Sequence, residues 1–197
     1  DDGTVMRGPQ VSDFAQKNGL KQVSVADLIA YRQRQETLVE RVASFDVETV
    51  CGPAKAYAYK LPWEAMQHLA IVFGDIRDGS EIPVRLHTED VVSDVFGKEA
   101  RLREAMDRMA GLGRGVLVYL RGGAIGVAHQ DRRRTAGEGR EEHEEALRRE
   151  SEWREIGLGA QILKDLGISS IRLMASRERH YVGLEGFGIA IASTDIV

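Results

Sequence analysis

Arg85-Leu86-His87-Thr88-Glu89-Asp90-Val91-Val92-Ser93-Asp94-Val95-Phe96-Gly97 is the most informative stretch of this 197-residue chain. It packs an Arg, a His, a Glu and two Asp behind an apolar run, Ile71 to Phe73, and a turn at Asp78-Gly79. Ile82 to His87 has the apolar and β-branched content of a strand returning from that turn, whose Asp-Gly pair favours positive φ. Side chains alternate along a strand, so Arg85, His87 and Glu89 project from one face, where a polar ligand could sit.

The neighbouring segments extend this into an α/β pattern. Ala54 to Lys60 alternates like a half-buried strand, and Leu69 to Phe73 reads as a continuous, central one. Leu102, Met106 and Met109 fall at helical spacing over 100–110, with Gly111 and Gly113 ending the helix. The two methionines read as core filler. Gly115 to Arg121 is a buried strand that runs into Gly122-Gly123-Ala124-Ile125-Gly126, a turn without the spacing of a phosphate loop. A short helix over 159–167 with a glycine stop, a strand over 170–175, and a turn and final strand over 183–192 complete a mixed β-sheet with interspersed helices.

Two segments stand apart. Val11 to Asn18 is a short helix closed by Gly19, and Ser24 with Asp27 forms a capping-box variant opening a second helix. Residues 1–35 carry too few apolar side chains to fold alone, so a larger body is expected for them to dock on, and Asp1-Asp2-Gly3-Thr4 reads as mid-chain sequence, so a fragment of something longer is expected. Residues 131–155 are charge-dense, with Glu144/Arg148, Glu145/Arg149 and Glu150/Arg154 spaced for helical ion pairs. They read as a solvated helix or loop.

Composition narrows the function classes. Apolar residues make up 43% and charged residues 29%, as in ordinary globular domains. The net charge of -4 argues against a dedicated nucleic-acid binder, despite Arg132-Arg133-Arg134. No apolar run approaches the roughly 20 residues that span a bilayer, so no membrane partner and a cytoplasmic location are expected. The single cysteine, Cys51, excludes an internal disulfide and a multi-cysteine metal site. It reads as a half-buried loop residue.

In order and spacing, residues 45–195 resemble the GTP cyclohydrolase II family of riboflavin biosynthesis. The matching stretches are Arg85 to Glu89, Asp94 to Gly97, Gly113 to Arg121, Ile156 to Leu163, and Gly183 to Gly188. Residues 1–35 resemble the end of a dihydroxybutanone-phosphate synthase domain, in Asp1 to Thr4, Phe14-Ala15 and Ser24 to Arg32. The resemblance implies a synthase stub at 1–35, a cyclohydrolase-like domain at 36–197, the rest of the synthase domain as a partner in the same polypeptide, and a homodimer.

The departures from the family pattern bear on activity. The resemblance implies a zinc held by three cysteines. The first position is Asp90 here, and the chain is shortened between Gly97 and Gly113, where the other two would lie. Catalytic zinc needs its protein ligands and an open position, and without them no bound water is activated. No metal and no cofactor are therefore expected. The family's catalytic Asp-x-Arg pair aligns with Glu152 and Arg154. Arg85, His87, Glu89 and Arg121 match its nucleotide-binding motif, while Ala175 and His180 replace a Thr and a Lys. The expectation is a domain without ring-opening activity that supports or regulates the synthase half. The alternatives are a retained or altered enzyme, using His87, Glu89, Asp90 and Asp94 around a hard cation, and a sensor of GTP or another phosphate ligand.

Overall fold

The computed structural model describes residues 9–23, 38–97, 101–122, 155–176 and 186–196, with the isolated positions 28, 31, 36 and 184. The Ser24-initiated helix start, most of the glycine turn after Arg121, Glu152, Arg154, His180 and nearly all of the charged tract lie outside these residues. Helix α1 spans Pro9–Lys17, and Gly19 follows it with φ of 64°. Strands β1 (Glu40–Thr49), β2 (Gly52–Lys60), β3 (Gln67–Gly74) and β4 (Ile82–Thr88) come next. A π-helical turn spans Val92–Phe96 and helix α2 spans Arg101–Gly111. Strand β5 (Arg114–Leu120), helix α3 (155–165), β6 (Ser170–Ala175) and β7 (Ala190–Ile196) finish the chain.

Among the described residues these strands form one sheet, in the order β1-β2-β3-β5-β4-β6-β7. Strands β1, β2, β3 and β5 pair antiparallel; β5, β4, β6 and β7 pair parallel. The mixed α/β architecture expected from the sequence is the observed one.

Three details differ from the expectation. Strand β4 returns in the opposite direction to β3 but does not pair with it, because β5 inserts between them. The Asp78-Gly79 turn serves another purpose: the Gly79 carbonyl accepts from the backbone N–H groups of Ser169 and Ser170, joining the turn to the start of β6. Gly79 has the positive φ expected, 63°. Second, β1 precedes the first strand expected, at Ala54, and is largely exposed, so it carries little period-two signal. Third, the last strand follows the expected turn, at 186–188, but runs on to Ile196, pairing with β6 from Ala190.

The central strands are covered on both faces, which explains why Val116 to Leu120 is an uninterrupted apolar run. On one face Val84, Val116, Val118, Leu120, Ile171 and Leu173 pack with Leu158, Ile162 and Leu163 of α3. On the other, Phe73, Leu117 and Met174 pack with Ala105 and Met109 of α2. A Cβ on Gly115 would lie 2.4 Å from Met109 Cγ, so the glycine is what lets α2 approach β5. Met109 is fully buried, as expected of a filler. Complete burial of such a side chain is worth about 1.5–3 kcal/mol.

The edge strand β1 is tied to α3 by a polar cluster. Arg41 Nε and Nη2 donate to Asp165 Oδ2 at 2.8 and 2.6 Å, and the Tyr59 hydroxyl donates to the same oxygen at 2.7 Å. The Arg41 guanidinium also lies 4.8 Å from the Tyr57 ring centroid. Leu38 N–H donates to Gln161 Oε1 at 2.7 Å, fixing the chain entering β1.

Candidate functional site

The C-terminal ends of β4 and β5 lie side by side. Strand alternation sends Val84 and Leu86 to the α3 face, and Arg85 and His87 to the face that α2 covers. His87 and Tyr119 are register partners across the parallel pair, and their rings stack at 5.4 Å with 23° between planes. The Glu89 N–H donates to the Leu120 carbonyl at 2.8 Å, carrying the pairing beyond β4.

The π-helical turn brings Asp94 back over this pair. Asp94 Oδ1 lies 2.8 Å from His87 Nε2, and Asp94 Oδ2 accepts from the Tyr119 hydroxyl at 2.7 Å and from the Asp90 N–H at 3.0 Å. A carboxylate only accepts, so Nε2 is the protonated nitrogen of His87 in this arrangement. The Asp94 side chain is 8% exposed. Burial first, and the hydrogen bond to Asp94 second, push the Tyr119 phenol well above its ordinary range. It stays protonated and donates.

Asp90 stabilises the turn. Its Oδ1 accepts from the Ser93 N–H at 3.2 Å and its Oδ2 from the Ser93 hydroxyl at 2.8 Å. Val95 and Phe96 of the same turn are left 67% and 78% exposed.

Of the residues singled out from sequence, His87 and Glu89 line this site, and Arg121 reaches it with its Nε 3.4 Å from Glu89 Oε1. Arg85 shares their face but points elsewhere. It is 6% exposed, and its Nη1 and Nη2 lie 3.4 Å from the Met174 carbonyl and the Ser176 hydroxyl. It ties β4 to the end of β6.

Sequence reasoning missed His68 on β3. It is 3% exposed, and its Nδ1 accepts the Arg121 N–H at 3.1 Å. Burial chiefly, with the Arg121 charge second, pushes its pKa down, so it is a neutral imidazole. Its place in an apolar strand gave no local sign that a partner would come from the end of β5. Thr88 was missed too. Its hydroxyl donates to Glu155 Oε2 at 2.8 Å, tying the end of β4 to the start of the described part of α3. Cys51 sits in the β1–β2 turn, half-buried, its thiol pushed up to about 11 by burial and then by Asp107.

The zinc site implied by the resemblance does not fit these residues. The carboxylate at the first ligand position is engaged by Ser93, the sole thiol is at Cys51 in the β1–β2 turn, and His87 Nε2 faces Asp94. Among the described residues, no group of three or more His, Cys, Asp or Glu side chains converges on one point. Nor is any described helix long and apolar enough to cross a membrane.

The topology and the polar ends of β4 and β5 define a class: a mixed-sheet α/β domain with an Arg-x-His-x-Glu strand at its functional edge. Residues 40–195 match the family model for GTP cyclohydrolase II, and the chain belongs to that family. It is 42% identical over 202 residues to the bifunctional riboflavin biosynthesis protein RIBA 1, chloroplastic, of Arabidopsis thaliana, covering 97% of this chain and 37% of the relative. It is 40% identical over 198 residues to the monofunctional riboflavin biosynthesis protein RIBA 2, chloroplastic, of the same plant, covering 98% and 41%. The riboflavin biosynthesis protein RibBA of Bacillus subtilis is 37% identical over 203 residues, covering 98% and 51%. The chain thus spans about half or less of the curated relatives it matches. Among solved structures, RibBX of A. baumannii, a two-domain 3,4-dihydroxy-2-butanone 4-phosphate synthase, matches with a TM-score of 0.71 at 30% identity, over 100% of this chain and 52% of that one.

Proposed function

We propose that this chain is a GTP cyclohydrolase II-fold domain that does not open the GTP ring and instead supports or regulates a synthase domain in the same polypeptide. The observation that carries the reading is the internal pairing at the ends of β4 and β5. His87 is held by Asp94, Glu89 by Arg121, and Asp90, where the first metal thiolate would stand, by Ser93. Side chains that would have to meet metal and nucleotide are committed to one another. Arg85, a nucleotide contact by its motif, acts as an anchor between strands.

Two relatives support the synthase connection. RibBX carries this fold and is described as a two-domain synthase, and the Arabidopsis RIBA 1 protein, about twice or more the length of this chain, is described as bifunctional. In this reading residues 1–35 belong to the synthase side of the boundary, the assembly is a homodimer, and no cofactor is needed. Activity in the parent enzyme class would rest on Glu152 and Arg154.

The test is direct. Purified protein, supplied with zinc and GTP, releases no formate and retains no stoichiometric zinc after dialysis; GTP-dependent formate release would sink the reading. In the full-length polypeptide, deleting the segment after residue 35 lowers synthase activity or stability. A synthase half that is indifferent to the deletion would refute the supporting role.

A further inference from the structure

A second polar pocket lies at the opposite end of the sheet, where β4, β5 and β6 begin. It encloses about 390 Å³ between the turn leading into β4, the C-terminal end of α2, and the first residues of β5 and β6. Two arginines line it, and their situations differ. Arg114 forks onto the Asp78 carboxylate and is neutralised there. Arg172 has no hydrogen-bond or ion-pair partner among the described residues. Its Nε is buried without an acceptor, as is that of Arg114, while its terminal nitrogens are not among the buried unpartnered atoms and the residue lines the pocket.

A planar guanidinium on the wall of a pocket, paired with no carboxylate of its own, is a place where an anion gains charge-assisted hydrogen bonds. The rest of the pocket narrows the class of that anion. Pro83 and Leu112 supply an apolar wall. Glu81 stands on the rim with φ of 49°, the one non-glycine residue with positive φ among those described, and its N–H is held by the Ser170 hydroxyl at 2.8 Å. A non-glycine residue in this region is sparsely populated backbone, fixed here by the start of β6. It keeps a carboxylate at the mouth, which disfavours a multiply charged phosphate.

We propose that this pocket binds a small organic monocarboxylate, its carboxylate on the planar fork of Arg172 and its apolar body against Pro83 and Leu112. The fork matches a carboxylate in two parallel hydrogen bonds, which a lysine cannot reproduce. The site is independent of the His87–Asp94 edge and of whether that edge does chemistry.

Calorimetric titration of the full chain with sodium benzoate, and separately with inorganic phosphate, tests it. Benzoate binds saturably with one site per chain, and phosphate binds at least about ten-fold more weakly. Arg172→Gln and Arg172→Lys each weaken benzoate by at least about ten-fold, the loss expected for a charge-assisted pair. Leu112→Trp fills the cavity from its exposed rim and abolishes binding, which decides the matter if the Arg172 variants do not fold. No saturable binding up to about 10 mM benzoate overturns the proposal. So does benzoate affinity that survives Leu112→Trp or a folded Arg172→Gln, or phosphate binding as tightly as benzoate.

Discussion

Replacing Asp94 by alanine removes three acceptor contacts at once: 2.8 Å to His87 Nε2, 2.7 Å to the Tyr119 hydroxyl and 3.0 Å to the Asp90 N–H. Hydrogen bonds to a charged group contribute about 1.5–3 kcal/mol each, but bonds that share an acceptor do not add. His87 is also 15% exposed, so water recovers part of its loss. The expected cost is therefore about 2–4 kcal/mol, well below three full bonds. For a chain of this size that lowers Tm by roughly 5–15 °C. Urea unfolding measures it as a lower midpoint at constant slope. Tyr119→Phe alone costs about 1–2 kcal/mol, and the Asp94/Tyr119 double-mutant cycle returns a coupling of at least about 1 kcal/mol. A second readout is the Tyr119 phenol. Burial, the first cause of its raised pKa, survives the substitution, while the hydrogen bond and charge of Asp94 are lost. In Asp94→Ala the phenol thus titrates lower than in the wild type by ultraviolet absorbance, though still above its ordinary value of about 10. If Asp94→Ala falls within about 0.5 kcal/mol of wild type, or the cycle shows no coupling, the carboxylate is not the hub of this edge and the internal-pairing argument fails.

Two further predictions concern stability. His68 has a depressed pKa in the folded chain, from burial first and Arg121 second. Below about pH 6.5 the unfolded chain therefore binds a proton that the folded chain resists. Stability then falls as pH drops through that value, and His68→Asn, which keeps an acceptor near the Arg121 N–H, flattens this acid limb in urea titrations at pH 5 to 7. An unchanged slope would show that His68 charges freely. Gly79→Ala would place a Cβ 2.2 Å from the Gly167 carbonyl oxygen at φ of 63°, and Gly74→Ala a Cβ 1.8 Å from the Gly113 carbonyl oxygen at φ of 61°. Neither neighbour is a flexible side chain, so each substitution is expected to cost about 2–4 kcal/mol in thermal or urea unfolding, and a neutral result would mean that these turns relax freely.

The chain by itself determined the elements whose patterns are local. Leu69 to Phe73, Ile82 to His87, Gly115 to Arg121 and 170–175 announce strands by composition and alternation, and Leu102, Met106 and Met109 announce a helix by spacing. Period-two alternation also put Arg85, His87 and Glu89 on one face, because that depends only on strand geometry. Strand order was not local. The Asp-Gly turn looks the same whether β4 pairs with β3 or is separated from it by β5, and the choice rests on which apolar faces α2 and α3 cover.

The same division holds at the site. Asp94 stood in the motif, but its contact with His87 depends on a π-helical turn that composition does not signal. Arg85, His87 and Glu89 look equivalent along the strand, yet tertiary packing gives them three partners: Met174 with Ser176, Asp94, and Arg121. His68 and Arg172 carry no local mark, and Thr88, though inside the motif, gives no sign of its partner. Each owes its role to groups distant in sequence, and only the folded sheet sets which polar groups must find one another once water is removed.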